Sequence, residues 1–207
     1  QKQLRSIDDY ASGYGIRIVA SIQVLGHMEK VLRFPEYAGL RDSPSCLLAG
    51  SEETEQFISK MLSAVGSCLR SRKVIVGMDE THGLGEGRYR LLNGLRPPME
   101  IYLEHLNRVH TLARKQGLTI AFYSDMLFTY GSGKHTYLDP HMLLEEKIKT
   151  LIPSDAQLIY WDYYSRDASL LDGMLACHQN IGSTIYAGPL LSVSSFCVQY
   201  EATWQTA

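Results

Sequence analysis

Long hydrophobic runs are missing from this 207-residue sequence. None approaches the ~20 apolar residues that a membrane-spanning helix needs, so no membrane partner is expected. An excess of positive charge is missing too. Lys and Arg number 20 against 22 Asp and Glu, a formal net charge of -2. With no dense basic patch either, nucleic acid is not an expected partner. Cysteine is sparse. Cys46, Cys68, Cys177 and Cys197 lie far apart, and no Cys-x-x-Cys pair occurs. That spacing argues against a zinc site or a disulfide framework and leaves reduced thiols in a cytoplasmic protein as the expectation. Low-complexity segments and short internal repeats are absent as well. What is present is a 45% hydrophobic, 20% charged chain, which is globular and long enough for one domain with a sizeable core.

The apolar residues are arranged in alternating periods. Gln1 to Gly13 reads as a helix, with Leu4, Ile7, Tyr10 and Ala11 on one face. Ile16 to Val24 reads as a strand, closing on the polar cluster Gly26-His27-Met28-Glu29. A long connection with Pro35 and Pro44 follows. Ser51 is placed to cap a helix, with Glu52 and Glu53 in the first turn, where the helix dipole favours anions. Phe57, Ile58, Met61, Leu62, Val65 and Leu69 keep helical spacing. Val74 to Val76 is a short strand. Pro97-Pro98 opens the next helix, and Gly117 ends it. Leu118 to Tyr123 is a strand ending on Ser124-Asp125-Met126. His141 to Leu151 reads as a helix. Gln157 to Tyr160 is a strand ending on Trp161-Asp162-Tyr163-Tyr164. Asp167 to Gln179 is helical, and Ser183 to Ala187 is a fifth strand.

Strand and helix in strict alternation argue for a parallel sheet with helices outside it. An open doubly wound sheet would carry a Gly-x-Gly-x-x-Gly phosphate loop after an early strand. The glycines at 83, 85 and 87 lack that spacing and follow two acids. A barrel instead spreads its functional groups over many strand ends, as here. The expected fold class is therefore α/β, a (β/α)8 TIM barrel. A complete barrel typically needs ~250 residues. Five strands, beginning inside a helix, predict an incomplete one that lacks its first two strands and its last. Residues 1–207 then form a single partial catalytic domain. Its open sheet edges invite self-association.

The chemistry is expected where the strand at Val74–Val76 ends. Gly77 and Met78 lead to adjacent carboxylates, Asp79 and Glu80, and then to a loop punctuated by Gly83, Gly85 and Gly87. Neighbouring side chains on a regular strand point to opposite faces. Asp79 and Glu80 can serve one site only if the strand stops there, as the glycines indicate. An Asp-Glu dipeptide is by itself usually a solvated turn. At the C-terminal end of a buried parallel strand it stands where barrel enzymes keep their catalytic groups. Two close carboxylates cannot both ionise cheaply, so one of a pair is held protonated more readily, as a general acid requires. His27 ends another strand, two residues from Glu29. Trp161 is either a wall of the site or core under a loop. The remaining histidines, at 82, 105, 110, 135 and 178, show no ligand spacing and read as surface or loop residues.

Four ordered motifs resemble family 20 glycoside hydrolases, the β-N-acetylhexosaminidases. The resemblance is greatest to the branch of cytosolic N-acetylglucosaminidases and hexosaminidase D-like enzymes. Val76-Gly77-Met78-Asp79-Glu80 with Leu84-Gly85-x-Gly87-Arg88-Tyr89 resembles the family's catalytic strand. Ile22 to Glu29 resembles its third strand, and Phe122 to Leu127 and Tyr160 to Tyr164 resemble its fifth and sixth. The resemblance implies release of terminal β-linked N-acetylhexosamine by substrate-assisted, retaining hydrolysis, an exception to the two-carboxylate scheme. Asp79 would orient the 2-acetamido group and Glu80 would serve as acid and then base. His27, Asp125 and Trp161 would bind the sugar, and Tyr163 or Tyr164 would meet the acetamido oxygen. It implies no cofactor and no metal, and a glycan or glycoconjugate carrying N-acetylhexosamine as partner. The chain also departs from the family. Tyr123-Ser124 stands where Trp-Asp is expected. Ala187-Gly188 runs into Pro189-Leu190-Leu191-Ser192-Val193, with no Trp, and the family's sugar-gripping Arg belongs to a strand outside this sequence. Two alternatives remain. One is a metal-dependent barrel hydrolase or isomerase using His27, Glu29, Asp79 and Glu80. The other is an inactive sugar-binding remnant.

Overall fold

A computed structural model describes residues 1–132 and 136–187. The short apolar runs become five strands: β1 (Ala20–Ser21), β2 (Lys73–Ile75), β3 (Thr119–Tyr123), β4 (Gln157–Trp161) and β5 (Thr184–Ala187). They form one sheet in the order β1-β2-β3-β4-β5, and every pairing is parallel. Chain order and spatial order coincide, so the winding never reverses. A doubly wound sheet reverses at its switch point, whereas a barrel winds one way throughout. The fold is thus α/β with five consecutive strands of a barrel wall.

Among the described residues eight α-helices accompany the sheet: α1 (Lys2–Gly13), α2 (Glu29–Leu32), α3 (Glu52–Gly66), α4 (Arg88–Asn93), α5 (Pro98–Lys115), α6 (Asp125–Gly131), α7 (Glu146–Lys149) and α8 (Ala168–Gln179). Ser51 caps α3 as its sequence context suggests, with its side chain accepting from Thr54 N at 3.2 Å. Pro98 opens α5 in the first turn, where its missing N–H has no cost. Asp167 caps α8 through Ser169 N at 2.9 Å. Ile58 and Leu62 of α3 join Tyr102, Leu106 and Val109 of α5 in the core. Ile120, Ala121 and Phe122 are all buried, so β3 is covered on both faces, as parallel strands require.

Several boundaries differ from the sequence expectation. The strand expected over Ile16–Val24 keeps only two laddered residues, Ala20 and Ser21, which pair with Val74 and Ile75 of β2. The helix expected over His141–Leu151 shrinks to the single turn α7. Upstream, Asp139 accepts from His141 N and Met142 N, and this turn replaces the first helical turn. The helix α1 stands where expected, but its apolar face is not buried as a whole. Ile7 and Tyr10 are 56% and 70% exposed, while Asp8 is buried at 3%. The helix docks by polar contacts. Asp8 accepts from Arg70 N at 3.1 Å and Arg70 Nη1 at 2.8 Å, and Arg5 donates to Ser67 O. The helices α2, α4 and α6 were not expected.

His105 and His178, read from sequence as surface or loop residues, are both interior. His105 Nε2 lies 2.9 Å from Val24 O, and burial lowers its pKa to about 4. His178 Nδ1 donates to Met174 O at 2.7 Å and its ring stacks on Phe128, and burial again lowers the pKa to about 4. Cys46, Cys68 and Cys177 are buried free thiols. His135, Cys197 and the stretch from Gly188 to Val193 lie outside the described residues.

Candidate active site

The site is built at the C-terminal ends of β1 to β4, beginning with the backbone after β2. The ladder stops at Ile75, and Gly77 turns to φ +66°. A Cβ at Gly77 would displace the Gln23 carboxamide, so glycine is favoured there both for its φ and for the space that Gln23 takes. Met78 and Glu80 follow on either side of Asp79 with φ of 72° and 47°. With His27 (φ 55°), they are the non-glycine residues at positive φ among the described residues. Each such residue costs on the order of 1–3 kcal/mol and persists where its surroundings over-determine it. The strained turn breaks the strand alternation and lets neighbouring Asp79 and Glu80 serve one cleft.

The two carboxylates are held differently. Asp79 is pinned: Gln23 Nε2 donates to Oδ1 at 3.0 Å, and His27 Nε2 lies 3.2 Å from Oδ2. The same His27 nitrogen lies 3.4 Å from Glu80 Oε2. The Asp79 side chain is 17% exposed and that of Glu80 is 48% exposed. One carboxylate is therefore fixed against the wall and the other projects into the cleft. Gln23 also accepts from Met78 N at 3.3 Å, so one amide holds both the turn and the acid. Sequence reasoning gave Gln23 no role. Its signal was a lone amide near the end of an apolar strand.

The cleft has a volume of about 410 Å³, within the range of ~300–1,000 Å³ common for small-molecule sites. Ser21 and Gln23 line it from β1, Asp79 and Glu80 from β2, Tyr123 from β3, and Trp161, Tyr163 and Tyr164 from β4 and its loop. Trp161 and Tyr163 stack at 5.3 Å between centroids. Tyr137 braces the wall, accepting from Trp161 N at 3.0 Å and donating to Trp161 O at 2.7 Å. Asp162 is buried and fixes the next turn through Tyr164 N and Ser165 N. Wall and acids thus come from separate strand ends, as in a barrel.

Asp125 lies behind this surface. It is 3% exposed and does not line the cleft. Its Oδ2 accepts from Glu80 N at 2.9 Å. Burial raises the Asp125 pKa to about 7. The charge on Asp79 adds to the rise, while the Glu80 N–H and the Trp161 indole oppose it. Asp125 Oδ1 and Trp161 Nε1 are each buried without a hydrogen-bond partner, although the indole is near enough to favour the ionised carboxyl. The glycine loop after Glu80 is held by Asp42, which sequence reasoning missed. Its carboxylate accepts from Gly85 N at 2.9 Å and Tyr89 N at 2.7 Å.

The structure therefore brings Asp79, Glu80, His27, Trp161 and Tyr163 together and sets Asp125 one layer deeper. Glu29, part of the alternative metal-ligand set, is exposed at the head of α2. Among the described residues no three His, Cys, Asp or Glu side chains are placed to hold a metal ion.

No protein-family model matches the chain, and no curated protein sequence does. Solved structures do match. The chain is similar to the β-N-acetylhexosaminidase from Bacteroides fragilis, with TM-score 0.64 and 17% identity over 90% of this chain and 36% of that one. It is also similar to the family 20 exo-β-N-acetylglucosaminidase from Vibrio harveyi, solved with N-acetylglucosamine. There the TM-score is 0.64 and the identity 15%, over 89% of this chain and 28% of that one. The family 20 β-N-acetylhexosaminidase from Streptomyces coelicolor gives TM-score 0.58 and 17% identity over 89% and 33%. The chain thus spans about a third of the length of these proteins. Over that span its fold is that of the family 20 barrels.

Proposed function

We propose that the cleft hydrolyses terminal β-linked N-acetylhexosamine with retention, the substrate's own acetamido group acting as nucleophile. One observation carries the reading. A pinned carboxylate and a projecting one are adjacent in sequence, share one histidine nitrogen, and face an aromatic wall across a cleft of sugar size.

The roles are those that the family resemblance implies, and the geometry supports them. The acetamido oxygen attacks C1 and the glycosidic C–O bond breaks, with Glu80 giving its proton to the departing oxygen. The positive charge then lies on an oxazolinium ring. Asp79, held by Gln23 and His27, accepts the acetamido N–H and stabilises that charge. Glu80, now a carboxylate, takes a proton from water as the water oxygen attacks C1 and the ring reopens. The half-exposed Glu80 side chain suits both transfers. Trp161 offers the apolar face on which a pyranose stacks. Tyr163 and Tyr164 both line the cleft, and either hydroxyl can donate to the acetamido oxygen. The expected partner is a glycan or glycoconjugate ending in N-acetylhexosamine.

The test is release of nitrophenol from its N-acetyl-β-glucosaminide, with the plain β-glucoside as control. Turnover of the acetamido sugar alone is expected, falling about 10²-fold or more in Glu80→Gln. Equal turnover of both glycosides, or activity abolished by a chelator, would overturn it. A second reading, a sugar-binding remnant, has one observation in its favour: among the described residues no Arg or Lys lines the cleft to grip hydroxyls. Binding of N-acetylglucosamine without turnover would select that reading.

A further inference from the structure

We propose that Asp125 is a positioning residue for Glu80 and takes no part in binding the sugar. This rests on the hydrolytic reading above and replaces the hydroxyl-binding role that the resemblance implied. The backbone of Glu80 is left-handed, a conformation that a residue with a Cβ leaves unless it is held. It is held at both ends. Asp125 Oδ2 accepts its N–H at 2.9 Å, and His82 N donates to its carbonyl at 2.8 Å. The side chain beyond meets His27 Nε2 at 3.4 Å and is otherwise open to the cleft. The direction from which the acid enters the cleft is set by its main chain, and Asp125 grips that main chain.

The location of Asp125 supports the role. It heads α6 directly after β3, between β2, which leads to Glu80, and β4, which ends on Trp161. A carboxyl buried so deeply, with one oxygen lacking a hydrogen bond, is costly to keep. It cannot reach a ligand in the cleft, because it is 3% exposed. The interactions in view are the Glu80 N–H on one side and the neighbouring indole of Trp161 on the other. Asp125 thereby stands between the proton donor, whose N–H it holds, and the wall on which the sugar would stack. A displacement of about 1 Å at a reacting group costs on the order of 10²-fold in rate, so this hold reads out in turnover.

The experiment compares the chain with Asp125→Ala and Asp125→Asn by two readouts. In steady-state hydrolysis of the nitrophenyl N-acetyl-β-glucosaminide, Asp125→Ala is expected to lower kcat by roughly 10–100-fold, with KM within about threefold. Asp125→Asn keeps an acceptor oxygen and is expected to recover most of that loss. A loss confined to KM, or no loss, would overturn the proposal. The second readout needs no turnover. In ¹⁵N-edited NMR the Glu80 amide is expected to shift upfield and exchange with solvent at least tenfold faster in Asp125→Ala, while the Ile120 and Phe122 amides hold. An unchanged Glu80 amide would overturn the proposal. If the alanine variant does not fold, Asp125→Asn gives the same two comparisons at smaller amplitude. If the parent chain shows no turnover, the hydrolytic reading fails and the Glu80 amide alone decides whether Asp125 positions it.

Discussion

The Asp125 carboxyl, with its pKa raised to about 7, keeps a proton in the folded chain that an unfolded chain releases above 3.8. Its contribution to stability is therefore full below 3.8 and lost as the pH rises through 7. His105 and His178 run the other way. Each is neutral in the fold down to about 4, whereas an unfolded histidine protonates below 6.5. Their contribution is present above 6.5 and lost as the pH falls through 4. Between pH 4 and 6.5 the two histidines outweigh the one carboxyl. From these three groups, stability climbs with pH at a net slope of one proton, on the order of 1 kcal/mol per unit. Removing the carboxyl roughly doubles that slope, because the opposing proton has gone. Asp125→Asn should then show a steeper acid limb than the parent in denaturant melts across this window. An unchanged slope would mean that Asp125 carries no proton in the fold. The glycosidase chemistry has its own test at this scale. Asp79→Asn keeps the shape of the group and removes its charge, so it should lower kcat by about 10²-fold on the acetamido substrate. An undiminished kcat would remove Asp79 from the proposed mechanism.

At the scale of elements, what the sequence showed was whatever rests on local period and local capping. Ser51 before a glutamate-rich turn, Pro98 ahead of an apolar stripe and Asp167 before α8 each start a helix as expected. Asp79, Glu80, Trp161 and Tyr163 were legible for a related reason. They stand at strand ends, and strand ends are visible as the close of an apolar run. What escaped was contact between distant segments. Gln23 meets Asp79 across 56 positions, Asp42 meets Gly85 across 43, and Asp125 meets the Glu80 amide across 45. No period encodes such a pair. The docking of α1 escaped likewise: the helix stands where it was expected, but its partner is the polar turn at Arg70, and Ile7 and Tyr10 of its apolar stripe stay in solvent. The glycine loop makes the point testable. Asp42 accepts two buried amides and its carbonyl leaves no room for a Cβ on Gly87. Asp42→Ala strands both N–H groups, which costs about 1–3 kcal/mol each. A melting point lower by roughly 5–10 °C is expected. A melt unchanged from the parent would mean that the loop is held by something other than Asp42.

For the whole molecule, the consequence of five parallel strands in sequential order is an edge. β1 pairs only with β2 on one side, and its other side has no partner strand among the described residues. In α1 and the segment that leads to β1, Ile7, Tyr10, Tyr14 and Ile16 are all exposed, with the two tyrosine rings 5.1 Å apart. A bare strand edge and an exposed apolar patch are each features that soluble sheets avoid or cover. The partner always at hand is a second copy, since two β1 edges present the same unpaired groups and the same patch. The chain is therefore expected to self-associate at micromolar concentration, which sedimentation velocity would resolve as a concentration-dependent shift. Tyr10→Lys with Ile16→Lys places charge on the patch without touching the cleft. The pair should return the chain to a monomer while leaving its turnover per chain unchanged. A monodisperse monomer with a cooperative melt in the unaltered chain would refute the association. It would also show that two laddered residues make an edge too short to template another strand.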